Sequence, residues 1–185
     1  SVGAFGIANR IVFIFVMFVM GINQGMQPIA GYNYGAQKLD RMMQVVKLSI
    51  IAATVIMILG WFLAMLAPRQ CVSLFTTDQH LIETTVHGMR RMMLMLPIVG
   101  YQMVITNFFQ CIGKVKISIF LSLSRQLLFL LPALALLPIW FGLDGVWLAQ
   151  PVSDFIASVV TAWIMIVYMH KFKLQHKENQ YGRQE

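Results

Sequence analysis

Ten consecutive apolar residues, Ile11 to Met20 (IVFIFVMFVM), stand near the start of this chain, and four later stretches are almost as apolar over comparable lengths. A helix of about 20 such residues crosses the hydrocarbon core of a bilayer. Five stretches pass that test: residues 8–34, 44–66, 89–112, 117–141 and 144–168. Lipid offers backbone amides no partners, so each span must satisfy its own, and no stretch reads as a strand. The expected fold class is therefore an all-α integral membrane protein with five transmembrane helices. Composition agrees. The chain is 58% hydrophobic and 11% charged, against about 25% charged in soluble domains, and its mean hydropathy is +0.72.

The net charge of +7 does not indicate nucleic acid, because Lys and Arg sit between the apolar runs rather than on an aromatic-basic face. Their distribution sets an orientation instead. Lys38, Arg41, Lys47, Lys114, Lys116, Lys171, Lys173, Lys177 and Arg183 fall on one side, and Arg10, Arg69, Arg90 and Arg91 on the other. The richer side is predicted cytoplasmic, which places the C-terminus in the cytoplasm. The polar segment 170–185 is expected to be a frayed cytoplasmic tail. Residues 78–88 read as a short external amphipathic helix with Asp78 as N-cap and Leu81, Ile82 and Val86 along the membrane surface. The chain lacks an initiator Met, and five is an odd count for a bundle. It is read as a piece of a longer protein.

Enzymatic signals are weak. There is no H-E-x-x-H or G-x-S-x-G, Cys71 and Cys111 lack metal or redox spacing, and His80 with His87 would need further ligands. The expectation is a protein that is not an enzyme and has no cofactor.

Polarity inside the apolar helices carries the functional signal. Residues 21–36 (GINQGMQPIAGYNYGA) place Gln24, Gln27 and Pro28 in the second half of the first span. Amides in hydrocarbon need partners, and a proline removes a backbone hydrogen bond. Gly21-x-x-x-Gly25 and Gly31-x-x-x-Gly35 have the spacing for close helix approach. A polar, kinked transport wall and a packing seam with satisfied amides both fit. On the third span Gln102, Thr106 and Gln110 share a stripe, with Asn107 beside it. These amides can line a cavity or tie helices together.

Arg125 lies about 12 Å from the cytoplasmic face and Asp154 about 15 Å from the external face, so the last two spans, as a hairpin, bring them within reach. A charge at that depth is costly unless paired or hydrated. A gating or coupling pair and a structural ion pair are both open.

The segment from Gly25 to Ala36 (GMQPIAGYNYGA) resembles the G-x-x-P-x-x-G-x-N-x-G-A signature of the MATE (multidrug and toxic compound extrusion) family, in its bacterial multidrug-efflux branch. Phe109 to Lys114 (FQCIGK), Ser124-Arg125-Gln126 and Pro138 to Trp147 (PIWFGLDGVW) are similar to further elements of that branch. The resemblance covers nearly the whole chain. It implies a twelve-helix fold of two six-helix lobes, with these five helices as the eighth to twelfth, a partial C-terminal lobe. It also implies a cation-coupled antiporter that exports organic cations or drugs across the inner membrane by alternating access, coupled to sodium or protons. Partners would be small organic cations, the bilayer and the missing N-terminal lobe.

On that reading Gln24, Gln27 and Pro28 form one wall, and Gln102, Met103, Asn107 and Gln110 line the cavity. Arg125 and Asp154 form the gating or coupling pair, while Met95 and Phe108 add apolar contact. Some relatives carry a carboxylate in the tenth helix, whereas the counterpart here has none between Pro97 and Ile112. Two other functions remain in view. One is a lipid-linked precursor flippase of related architecture, which would need several cations in its cavity. The other is a non-transporting membrane subunit.

Overall fold

The computed structural model describes residues 2–182, so Arg183 of the charge count lies outside the described residues. Five helical passages are long and apolar enough to cross a membrane. The chain is a multi-pass membrane protein.

α1 (Val2–Gly35) runs unbroken through Pro28. α2 (Leu39–Leu66) returns beside it after a turn in which Gln37 adopts positive φ. α3 (Pro68–Ser73) and α4 (Gln79–Met92) follow, and then α5 (Leu96–Cys111). The fourth passage is α6 (Val115–Leu123), a π-helical segment (Ser124–Leu130) and α7 (Leu131–Phe141). α8 (Leu143–Tyr181) closes the bundle.

α5 is central. It packs against α1, α2 and α8, while the fourth passage packs mainly along α8. α7 has no buried residue, and Trp140 is 82% exposed. Such large apolar side chains turned outward suit a bilayer rather than water.

Four expectations need correction. The 78–88 helix is not an independent surface element. α4 continues into α5 through a 3-10 turn at Met93–Met95, just before Pro97, which has no N–H to continue an α-helical ladder. Ile82 is buried, and Leu81 packs into the core beside it. Asp78 does cap α4, accepting from the amides of His80 and Leu81.

The tail is helical as far as Tyr181, because Phe172 is buried against Tyr34, Phe108 and Tyr168. A side chain docked in this way holds an otherwise polar segment in place.

The Gly21–Gly25 spacing does not bring helices together, since a Cβ at either glycine, or at Gly35, would meet nothing within 4 Å among the described residues. Gly31 alone touches a neighbour, with a Cβ 3.5 Å from the Cys111 carbonyl oxygen. Close approach occurs elsewhere. A Cβ on Gly100 would lie 3.0 Å from the Ala53 carbonyl oxygen, and one on Gly145 would collide with the backbone of Leu137 and Pro138.

Phe108 is fully buried among aromatic rings, so it contributes to the core and not to a cavity wall.

Candidate functional site

Pro132 shapes the site from the neighbouring turn. It lacks an N–H, and its ring crowds the carbonyl four residues back. The turn before it widens, with the Leu131 N–H donating to the Gln126 carbonyl, five residues back. Such π segments are frequent at functional sites. This one carries Arg125.

Arg125 donates from Nε to Oδ1 of Asp154 at 2.9 Å, and Nη2 lies 2.9 Å from the same oxygen. The Asp154 side chain is 4% exposed and that of Arg125 29%. Two further bonds lock this crossing. Ser153 Oγ donates to the Arg125 carbonyl at 3.1 Å, and Gln102 Nε2 donates to the Asp154 carbonyl at 2.7 Å. Tyr101 OH donates to the Ser158 carbonyl at 2.7 Å one turn further along α8. The π segment, α8 and α5 therefore meet at a single polar knot.

Two hollows flank the knot. The larger, about 300 Å³, lies between α5, the fourth passage and α8, and Gln102, Met103, Thr106, Asn107 and Gln126 contribute to its wall. The smaller, about 150 Å³, lies toward α1 and includes Asn9, Val12, Gln150 and Asp154. Arg125 and Met103 border both. Arg125 is thus the charged element of the partition between them.

The remaining candidates divide. Gln27 Nε2 donates to Asn107 Oδ1 at 2.6 Å, which brings α1 to the edge of the larger hollow. Gln24, Pro28 and Gln110 are exposed and border neither hollow. The 102–106–110 stripe leaves the site at its last member. Gln102 spends its amide fastening α5 to α8, whereas Gln126 is exposed.

Comparison with known proteins gives the knot its setting. The family model described as MatE matches residues 1–134. The chain belongs to the MATE family. A MATE multidrug transporter, DinF-BH, solved in complex with R6G, is 39% identical with a TM-score of 0.80, over 88% of this chain and 36% of that one. "Multidrug export protein MepA" of Staphylococcus aureus (strain MSSA476) is 26% identical over 94% of this chain and 38% of its own length. The chain therefore spans about two-fifths of the length of the curated relatives it matches. The MATE fold in inward-facing and outward-facing solved forms superposes with TM-scores of 0.83 and 0.84, at 19% and 21% identity.

Sequence reasoning missed Ser153, Tyr101 and Asn9 as parts of this candidate site. Ser153 had a signal, since it directly precedes the intramembrane Asp154. Asn23 and Ser124 also escaped. Both are buried, and the amide of Asn23 and the hydroxyl of Ser124 have no hydrogen-bond partner among the described residues. Ser124 directly precedes Arg125 in the π segment.

Proposed function

We propose that this chain is most of the C-terminal lobe of a cation-coupled antiporter. In that role it exports organic cations or drugs across the inner membrane by alternating access, with its C-terminus in the cytoplasm. The observation that carries the reading is Arg125 in the partition between two hollows, paired with Asp154 on the wall of the smaller one. A pair at this depth can be held closed by its own attraction. It can be opened by anything that competes for the carboxylate, such as a proton, a sodium ion or a cationic substrate. The relatives support the substrate class: MepA is described as a multidrug export protein, and DinF-BH was solved with R6G bound. The central cleft would be completed by a second lobe, since transporter sites lie between repeats near the midplane.

The test uses the full-length protein in an efflux-deficient host. Export of ethidium from preloaded cells is expected, with loss of export in Asp154→Asn. Selective collapse of the sodium or the proton gradient then assigns the coupling ion. Export by Asp154→Asn at the parental rate overturns the coupling role of this pair.

A further inference from the structure

A third hollow, away from the polar knot, lies at the end of the bundle where the lysines gather. It opens between the first turns of α2 and the last turns of α8 and encloses about 730 Å³. Met43, Met169 and Phe172 make its floor, and Lys47, Lys173 and Lys177 stand on its walls. None of these three lysines has a carboxylate within salt-bridge reach among the described residues. The one acid in the wall, Asp40, lies 3.6 Å from His176 at the outer end.

This hollow is one half of a longer feature. A groove of about 430 Å³ between α5 and α8 shares Met169 and Lys173 with it. That groove is almost wholly apolar, with Ile105, Ala162, Met165 and Ile166 in its wall. Ala162, Ile166, Met169, Lys173, Lys177 and Gln180 recur every three or four residues, so one stripe of α8 serves both parts. From Ala162 to Lys173 the stripe runs about 16 Å along the helix.

We infer that this continuous hollow is a binding site for a single anionic phospholipid. The headgroup phosphate sits among Lys47, Lys173 and Lys177, and an acyl chain lies in the α5–α8 groove. The division of chemistry carries the assignment. A free phosphate would use the basic end and leave the apolar groove without purpose. A zwitterionic lipid brings its own ammonium with its phosphate and so adds no net negative charge to a wall that holds three lysines and one acid. Lysines at the end of a span with long apolar stems are suited to reach a headgroup while their carbons cover a chain. The inference is independent of the transport reading, because its lysines and Met169 lie outside the polar knot, and the groove shares with the knot the single residue Tyr101.

Native mass spectrometry of the detergent-purified full-length protein tests it, with phosphatidylglycerol and phosphatidylethanolamine of matched chains as probes. Phosphatidylglycerol is expected to remain bound at activation energies that strip phosphatidylethanolamine. The triple variant Lys47→Gln/Lys173→Gln/Lys177→Gln is expected to lose phosphatidylglycerol binding by roughly tenfold or more, with phosphatidylethanolamine unchanged. Arg41→Gln/Lys116→Gln/Lys171→Gln removes equal charge nearby and is expected to bind like the parent. Met169→Trp fills the junction of the two hollows, keeps every charge, and is expected to weaken binding as well. It also remains informative if the triple variant fails to fold. Equal losses in both triple variants, equal retention of the two lipids by the parent, or displacement of phosphatidylglycerol by excess inorganic phosphate would each overturn the assignment.

Discussion

Arg125 and Asp154 meet through one oxygen: Nε and Nη2 of the guanidinium both lie 2.9 Å from Oδ1. This is not the fork-to-fork arrangement in which each nitrogen takes its own oxygen. Gln150, one turn back on α8, borders the same small hollow as Asp154. A pair bound through a single oxygen is easier to open than a bidentate one.

A double-variant cycle separates coupling from fastening. Arg125→Gln and Asp154→Asn alone are each expected to destabilise the protein by about 3–5 kcal/mol, because one charge is left buried and alone. The Arg125→Gln/Asp154→Asn double variant should recover most of that loss in detergent thermal unfolding. Export should not recover. Recovery of both would mean that the pair only holds the π segment to α8.

The 2.6 Å bond between Gln27 and Asn107 ties α1 to α5. Gln27→Leu should cost about 0.6–1.7 kcal/mol, the range for such bonds between membrane helices. Asn107→Leu should add little once Gln27 is gone. Thermal unfolding of the two single variants and the double variant reads the coupling.

Glycine contacts predict opposite outcomes at two positions. Gly145→Ala drives a Cβ into the Leu137 carbonyl, which should lower stability by about 1–3 kcal/mol as overpacking does. Gly21→Ala meets open space in the 185-residue chain and should be neutral or stabilising by up to about 1 kcal/mol through helix propensity. Unfolding midpoints of the two variants give the sign directly.

Phe172 anchors the last turns of α8. Phe172→Ala should cost about 3–5 kcal/mol and should expose the backbone amides beyond residue 172 to hydrogen exchange. Protection that ended at residue 169 in the parent would contradict the docked helix.

Cys71 lies outside the spanning helices, and burial pushes its thiol above the ordinary value. A raised value keeps the unreactive neutral form to higher pH. In a Cys111→Ser background, maleimide labelling of Cys71 should therefore be slower at neutral pH than for a free thiol. It should also go on rising with pH after the free thiol has levelled off. Under the proposed orientation a membrane-impermeant reagent reaches it from outside intact cells.

The passages and the Arg125–Asp154 crossing were legible because hydropathy and intramembrane charge are properties of composition along the chain. The π segment was not. Pro132 marks a disturbed turn, but whether the helix kinks or widens depends on what α8 offers, here the Ser153 hydroxyl. The docking of residues 170–181 was hidden because one apolar side chain, Phe172, outweighs the polar residues around it. Of the Gly-x-x-x-Gly spacings, Gly31 alone meets a neighbour among the described residues, since spacing allows close approach but a neighbouring helix must be there to use it. Gln102 could be placed at the site from sequence. That its amide is committed to a backbone carbonyl could not.

α8 runs from Leu143 to Tyr181 without a break. Along that one rod sit Asp144, in contact with Arg91, then Asp154 at the polar knot, and then the lysine end with Phe172. Pro151 has no N–H to tie that turn back, so α8 is weakened between Asp144 and Asp154 and fully bonded from Asp154 toward the lysines. A twist that parts Arg125 from Asp154 is therefore carried to the lysines, so that end of the molecule shares a camshaft with its middle.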